Sequence, residues 1–167
     1  MSSIDIVYEL DLKDGINVRE PLSLLDQRVR SLIAEALDDV ALAIEDVAKE
    51  KAGFKTGNLR RNILRERALL DSTGAINAHV GVARTAPYAI WHHEGTGIFG
   101  KYHRRITPTA GNVLVFRDSA KGGRLVFARS VKGQRANPFM RDAYLLVKNT
   151  VADARFRKLA HDIGNLS

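Results

Sequence analysis

Cysteine is absent from the 167-residue chain, which excludes disulfides, thiol nucleophiles and cysteine-ligated zinc or iron–sulfur centres. Long apolar runs are missing too. None approaches the roughly 20 residues that a bilayer-spanning helix needs, so no membrane partner is expected. The first ten residues, MSSIDIVYEL, carry acids and no base, unlike a secretory leader. The expectation is a protein made and kept in the cytoplasm, or in something assembled there. Acids are scarce beyond residue 50, where only Glu94 has a setting suited to acid–base work, and no Gly-x-Ser-x-Gly elbow occurs. Catalysis therefore has little to stand on: no catalytic residue, cofactor or metal is expected.

What is present is an ordinary globular composition, 45% hydrophobic and 27% charged, in a chain long enough for one domain with a sizeable core. The net charge of +7 is unevenly spread. Residues 1–50 hold 12 acids and 5 bases, whereas residues 51–167 hold 21 bases and 7 acids. Such polarity suits a polyanion partner, or head-to-tail stacking of copies with acidic part against basic part.

Periodicity predicts a single α+β domain over residues 1–167: a small, mostly antiparallel sheet packed by one long N-terminal helix and a C-terminal helix. A first strand is expected in residues 1–10, where IDIVYEL is rich in β-branched types. The long helix is expected over residues 22–52, opened by Pro21 or Ser23 and stopped by Gly53, with an apolar stripe from Val29 to Ala48. About 28 such residues span roughly 42 Å.

Residues 56–135 should hold the sheet, short helices, a glycine loop and a basic hairpin. Thr56 is placed to cap a helical turn with Arg60 and Arg61 outward. Strands follow at Leu64–Leu70 and Ile76–Val82, then a short helix after Pro87, then strands Val113–Arg117 and Arg124–Arg129 around Lys121-Gly122-Gly123. Asn137 and Pro138 should open the last helix, residues 138–163, with a stripe of Met140, Ala143, Tyr144, Val147, Val151 and Ala154.

Two motifs in Pro87–Gly100 invite chemistry. Gly95, Gly97 and Gly100 have G-x-G-x-x-G spacing, but a phosphate loop must leave a strand and open a helix. Here a helix precedes it, and Lys101–Pro108, whose Thr107 and Pro108 disfavour a helix, follows. A flexible loop is expected instead. Adjacent His92 and His93 point about 100° apart on a helix and cannot chelate one ion well. His103 could supply a second ligand beside His93, but no third is near. One histidine is expected to pack beside Trp91 and the other to lie at the surface.

Taken in order, the motifs resemble a known family. They are Thr56-Gly57-Asn58-Leu59-Arg60-Arg61-Asn62-Ile63; Ala86-Pro87-Tyr88-Ala89 with Glu94-Gly95-Thr96; Ile106-Thr107-Pro108; Leu114-Val115-Phe116; and Asn137-Pro138-Phe139-Met140-Arg141-Asp142-Ala143. The set is similar to the neck or tail-completion (head–tail joining) proteins of long-tailed bacteriophages and covers about residues 24–150. Asn62 stands where that family usually has serine, and Ala136-Asn137 replaces the first proline of the closing motif.

The resemblance implies a non-enzymatic virion protein. It would form a homo-oligomeric ring, expected to be a hexamer, between the head-closure or connector protein and the tail terminator or tail tube protein, with DNA passing through the lumen. On that reading Tyr88, Trp91, His92, Glu94, Thr96, Ile98 and Phe99 dock a neighbouring subunit or ring. Arg104, Arg105, Arg117, Lys121 and Arg124 face DNA or acidic surfaces. Two alternatives remain: a stand-alone nucleic-acid-binding protein or metal-dependent nuclease using His92, His93, Glu94 and His103, and a minor tail protein elsewhere in the same virion.

Overall fold

An unbroken stripe of apolar residues at three- and four-residue spacing makes the first element, helix α1 (Gln27–Lys51), in a computed structural model that describes residues 27–53, 56–70, 75–118 and 122–165. The expected first strand, the opening of the long helix and Lys121 lie outside the described residues. The other elements are α2 (Asn58–Arg61), β1 (Ile63–Leu70), β2 (Ile76–Val82), α3 (Ala89–Glu94), β3 (Leu114–Asp118), β4 (Arg124–Ala128), α4 (Phe139–Val147) and α5 (Asp153–Gly164). The fold is α+β. Among the described residues the strands form two separate antiparallel pairs, β1–β2 and β3–β4, rather than one sheet. The chain divides into two compact units, residues 1–87 with 139–167, and residues 88–138.

In the first unit α1 packs against β1–β2, α4 and α5. It buries Ile33, Ala36, Leu37, Val40, Ala41, Ile44 and Ala48, the helical spacing that an inward stripe requires. Glu45 is buried among them and is compensated by Lys49 at 2.5 Å and by Arg65 of β1 at 3.5 Å. Arg65 also reaches Asp38. The strand pair alternates: Ile76, Ala78 and Val80 face the core. A bulge between Glu66 and Leu69 interrupts the register, and there Asp38 accepts the Ala68 N–H at 2.8 Å. A donor that the bulge removes from the ladder is thus satisfied by α1.

Two local expectations are corrected. The N-cap position of α2 is Gly57, at φ 73°, and Thr56 only accepts a long bond from the Asn58 N–H, 3.4 Å. Arg60 does not face outward. Its guanidinium donates to the carbonyls of Gly53 and Glu50, satisfying acceptors at the end of α1 where the helix dipole favours a cation. Asn62 binds the Asn58 carbonyl through Nδ2, accepts from Thr85 through Oδ1, and its backbone carbonyl takes the Ala83 N–H. The longer side chain thereby ties α2 to the segment after β2.

The last helix forms as expected but is not α-helical throughout. A π turn at Lys148–Ala152 joins α4 to α5. Phe139, Met140, Ala143 and Val147 are buried as the stripe requires, but Val151 and Ala154 are exposed while Ala152 and Leu159 are buried. The extra residue of the π turn rotates the downstream face by one position, so Ala152 takes the place expected of Val151.

Candidate functional site

The second unit is organised by one extended segment, residues 130–137. Ile106 and Val131 exchange both backbone bonds at 3.0 Å, and Arg105 Nε donates to the Ser130 hydroxyl. Ile98 N–H donates to the Lys132 carbonyl and Thr96 N–H to that of Gln134. The Gln134 N–H returns to Thr96 Oγ1, 2.9 Å, and the Asn137 N–H binds the His92 carbonyl. Three stretches far apart in sequence, 92–98, 105–106 and 130–137, are thus stitched together by backbone bonds.

The glycines serve that stitching. A Cβ on Gly97 (φ +65°) would sit 2.2 Å from the Lys132 carbonyl oxygen, and one on Gly133 (φ +88°) would sit 2.2 Å from that of Thr96. Only hydrogen at both positions allows the two backbones to cross. Gly95 is buried, and its Cβ would lie 2.8 Å from the Ala136 nitrogen. The expected flexible loop is corrected: it is a tight, hydrogen-bonded crossing with a short 3₁₀ turn at Gly97–Phe99.

The histidines are placed by the same frame. His93, 4% exposed, packs inward with Ala89, and its Nδ1 meets Glu94 Oε1 at 2.7 Å. His92 is half-buried, with Nδ1 2.6 Å from Gln134 Nε2 and Nε2 3.2 Å from Asn137 Nδ2. A neutral imidazole accepts at one nitrogen and donates at the other, so one of these two amides presents its oxygen to the ring. His103 stands at φ 48° with Nδ1 on the Ile98 carbonyl. Among the described residues, no three histidine, aspartate or glutamate side chains gather as a metal site.

Of the seven expected docking residues, Tyr88, Trp91 and Phe99 are exposed apolar side chains, Trp91 at 60%. Arg135 lies over the Phe99 ring, 5.5 Å from its centroid. Glu94 is exposed beside His93. Thr96 and His92 are spent on internal bonds, and Ile98 is half-buried. Of the cationic set, Arg104 is exposed, Arg105 is on Ser130, and Arg117 donates to the Gly123 carbonyl. Arg124 stands opposite Asp118 in the β3–β4 register.

Charge counting missed the hairpin's other character. Val115 pairs with Phe127 and Arg117 with Leu125, so these four share one face. Val115, Leu125 and Phe127 are 54–65% exposed, and Tyr102 is 76% exposed. The alternation of Val113, Val115, Leu125 and Phe127 was the signal that could have found this face. Unit charges sharpen it: residues 88–138 hold nine bases and two acids, so the whole net +7 resides there and the other unit is balanced.

In the first unit, a groove over the outer side of β1–β2 is lined by Leu64, Glu66, His79, Gly81 and Arg84 among others. No described helix is long and apolar enough to cross a membrane. Comparison with protein-family models, curated proteins and solved structures returned no match for this chain.

Proposed function

We infer that the chain is a structural virion protein of a tailed bacteriophage, forming a ring at the head–tail junction that joins the connector to the tail and lets DNA pass. Assembly, not catalysis, is its work on this reading. The ordered motifs supply the reading, and one observation carries it further. The Glu94-Gly95-Thr96 and Ile106-Thr107-Pro108 elements are bonded to the 130–137 segment that ends in Asn137, building a hydrogen-bonded frame in the unit that carries exposed Trp91, Tyr102 and Phe127. A frame that fixes large apolar side chains in solvent suits docking.

Deleting the gene from the phage that carries it tests the proposal. Filled heads and free tails should accumulate separately and join when purified protein is added. Intact infectious particles without the protein would overturn it, and the same particles imaged at the neck separate this position from one elsewhere in the tail. The +7 of residues 88–138 favours one competing reading, a stand-alone nucleic-acid-binding protein. That reading requires retardation of short duplex DNA at about 50 mM salt, with steep loss as salt rises.

A further inference from the structure

We propose that the apolar face of the β3–β4 hairpin docks on the outer stripe of α1 of a second copy of this chain. The inference rests on reading the chain as a self-assembling subunit, and it names the two surfaces that meet. On the hairpin, Val113, Val115, Leu125 and Phe127 are all exposed, with Arg117 toward the turn and exposed Arg129 just past the other end of β4. Between Ser31 and Lys51, themselves exposed, the exposed positions of α1 are Glu35, Asp39, Leu42, Asp46 and Glu50, at spacings of four, three, four and four residues, one line along the helix. Leu42, 43% exposed, is the apolar centre of an otherwise acidic line. Asp39 is held by Arg155, while the carboxylates of Glu35 and Asp46 pair with no described residue.

Charge and spacing agree. Four strand positions separate Leu125, the partner of Arg117, from Arg129, which is about 13 Å. The acids bracketing Leu42 are about 10 Å apart for Asp39 to Asp46 and about 16 Å for Glu35 to Asp46. An arginine at each end of an apolar patch can therefore meet an acid on each side of Leu42. Basic residues gather in the unit that carries the hairpin, and acids line the helix that would receive it. The two faces differ, so each contact leaves one hairpin and one helix stripe unfilled. Such a heterologous contact propagates from copy to copy, and it gives a ring where the rotation between copies closes.

The absence of cysteine makes the test clean. Full-length Leu42→Cys and Phe127→Cys proteins, each verified as folded by circular dichroism, are mixed at high concentration with a short bis-maleimide. The mixture should yield covalent dimers, and neither protein alone should. Arg117→Glu with Arg129→Glu in the Phe127→Cys background should lower the yield about tenfold. Glu35→Lys with Asp46→Lys in the partner should restore it, which general damage to folding would not allow.

No dimer in the mixture, equal dimer from Phe127→Cys alone, or a yield indifferent to charge reversal would each overturn the proposal. The neck assignment fails separately. Cross-linking by a protein absent from virions would sink that assignment and leave this interface standing. Virions that contain the protein but do not cross-link would do the opposite.

Discussion

Gly97→Ala and Gly122→Ala look equivalent on backbone grounds, since their φ angles are +65° and +67°. A side chain in that region costs about 1 kcal/mol at either position. Their surroundings differ. A Cβ at Gly122 meets nothing within 4 Å, so the backbone cost is the whole cost. At Gly97 the Cβ would lie 2.2 Å from the Lys132 oxygen and 2.7 Å from its carbon, where ordinary contact begins near 3.4 Å. The strands of the crossing must part by more than an ångström. That breaks the Ile98-to-Lys132 bond at 2.9 Å and strains the Thr96-to-Gln134 bond at 2.8 Å. At about 1 kcal/mol each, these bring Gly97→Ala to about 3 kcal/mol.

Trp91, the only tryptophan, lies in the same unit and reports its unfolding in urea by fluorescence. Hydrogen exchange at the Thr96 and Ile98 amides reads the crossing itself. The 2 kcal/mol excess over Gly122→Ala predicts about 30-fold faster exchange there. Gly133→Ala opens the same crossing from the opposite strand, so the double variant should cost far less than the sum of the two. If Gly97→Ala and Gly122→Ala fall within about 0.5 kcal/mol of each other, the crossing is not what the glycines serve.

Three further outcomes follow from the first unit. Phe139, fully buried, should cost about 3–5 kcal/mol on truncation to alanine, read by urea unfolding followed in far-ultraviolet circular dichroism. Asp38→Ala leaves the Ala68 N–H of the bulge and the Arg65 guanidinium without that acceptor, for about 1–3 kcal/mol, while Asp38→Asn keeps an oxygen and should cost less. Arg60→Ala withdraws the cation from the end of α1 and should lower stability by about 0.5–1 kcal/mol, with fraying seen in exchange at the Ala52 amide.

Much of this architecture was legible because its causes are local. The three- and four-residue spacing of α1 can bury one face only as a helix. The strand expected at Ile76–Val82 forms with those bounds, and Leu64–Leu70 begins one residue earlier, at Ile63. The glycines that lead into β4 were visible as turn residues, and Gly122 and Gly123 both stand at positive φ. The π turn at Lys148–Ala152 was not. A one-residue phase slip leaves the apolar count unchanged and moves only its position, so Val151 and Ala152 trade places without any mark in composition.

The glycine motif shows a different limit. Gly95, Gly97 and Gly100 were read against their neighbours in sequence, and that context rejects phosphate binding on good grounds. For Gly95 and Gly97 the reason lies about 35–40 residues downstream, in Lys132, Gly133, Gln134 and Ala136, whose backbone passes within the space a methyl group would need, whereas Gly100 closes against Gly95 and Thr96 of its own loop. No local pattern encodes such a crossing, because what is specified is a distance between two chain segments rather than a spacing along one. The same holds for His92, whose neighbours in sequence suggested a metal and whose ring lies against Gln134 and Asn137. A cluster of rare residue types can mark chemistry, or it can mark a joint where two segments must approach closely. In this chain Pro87–Gly100 is such a joint, and the exposed surface it holds in place lies on Trp91 and Phe99.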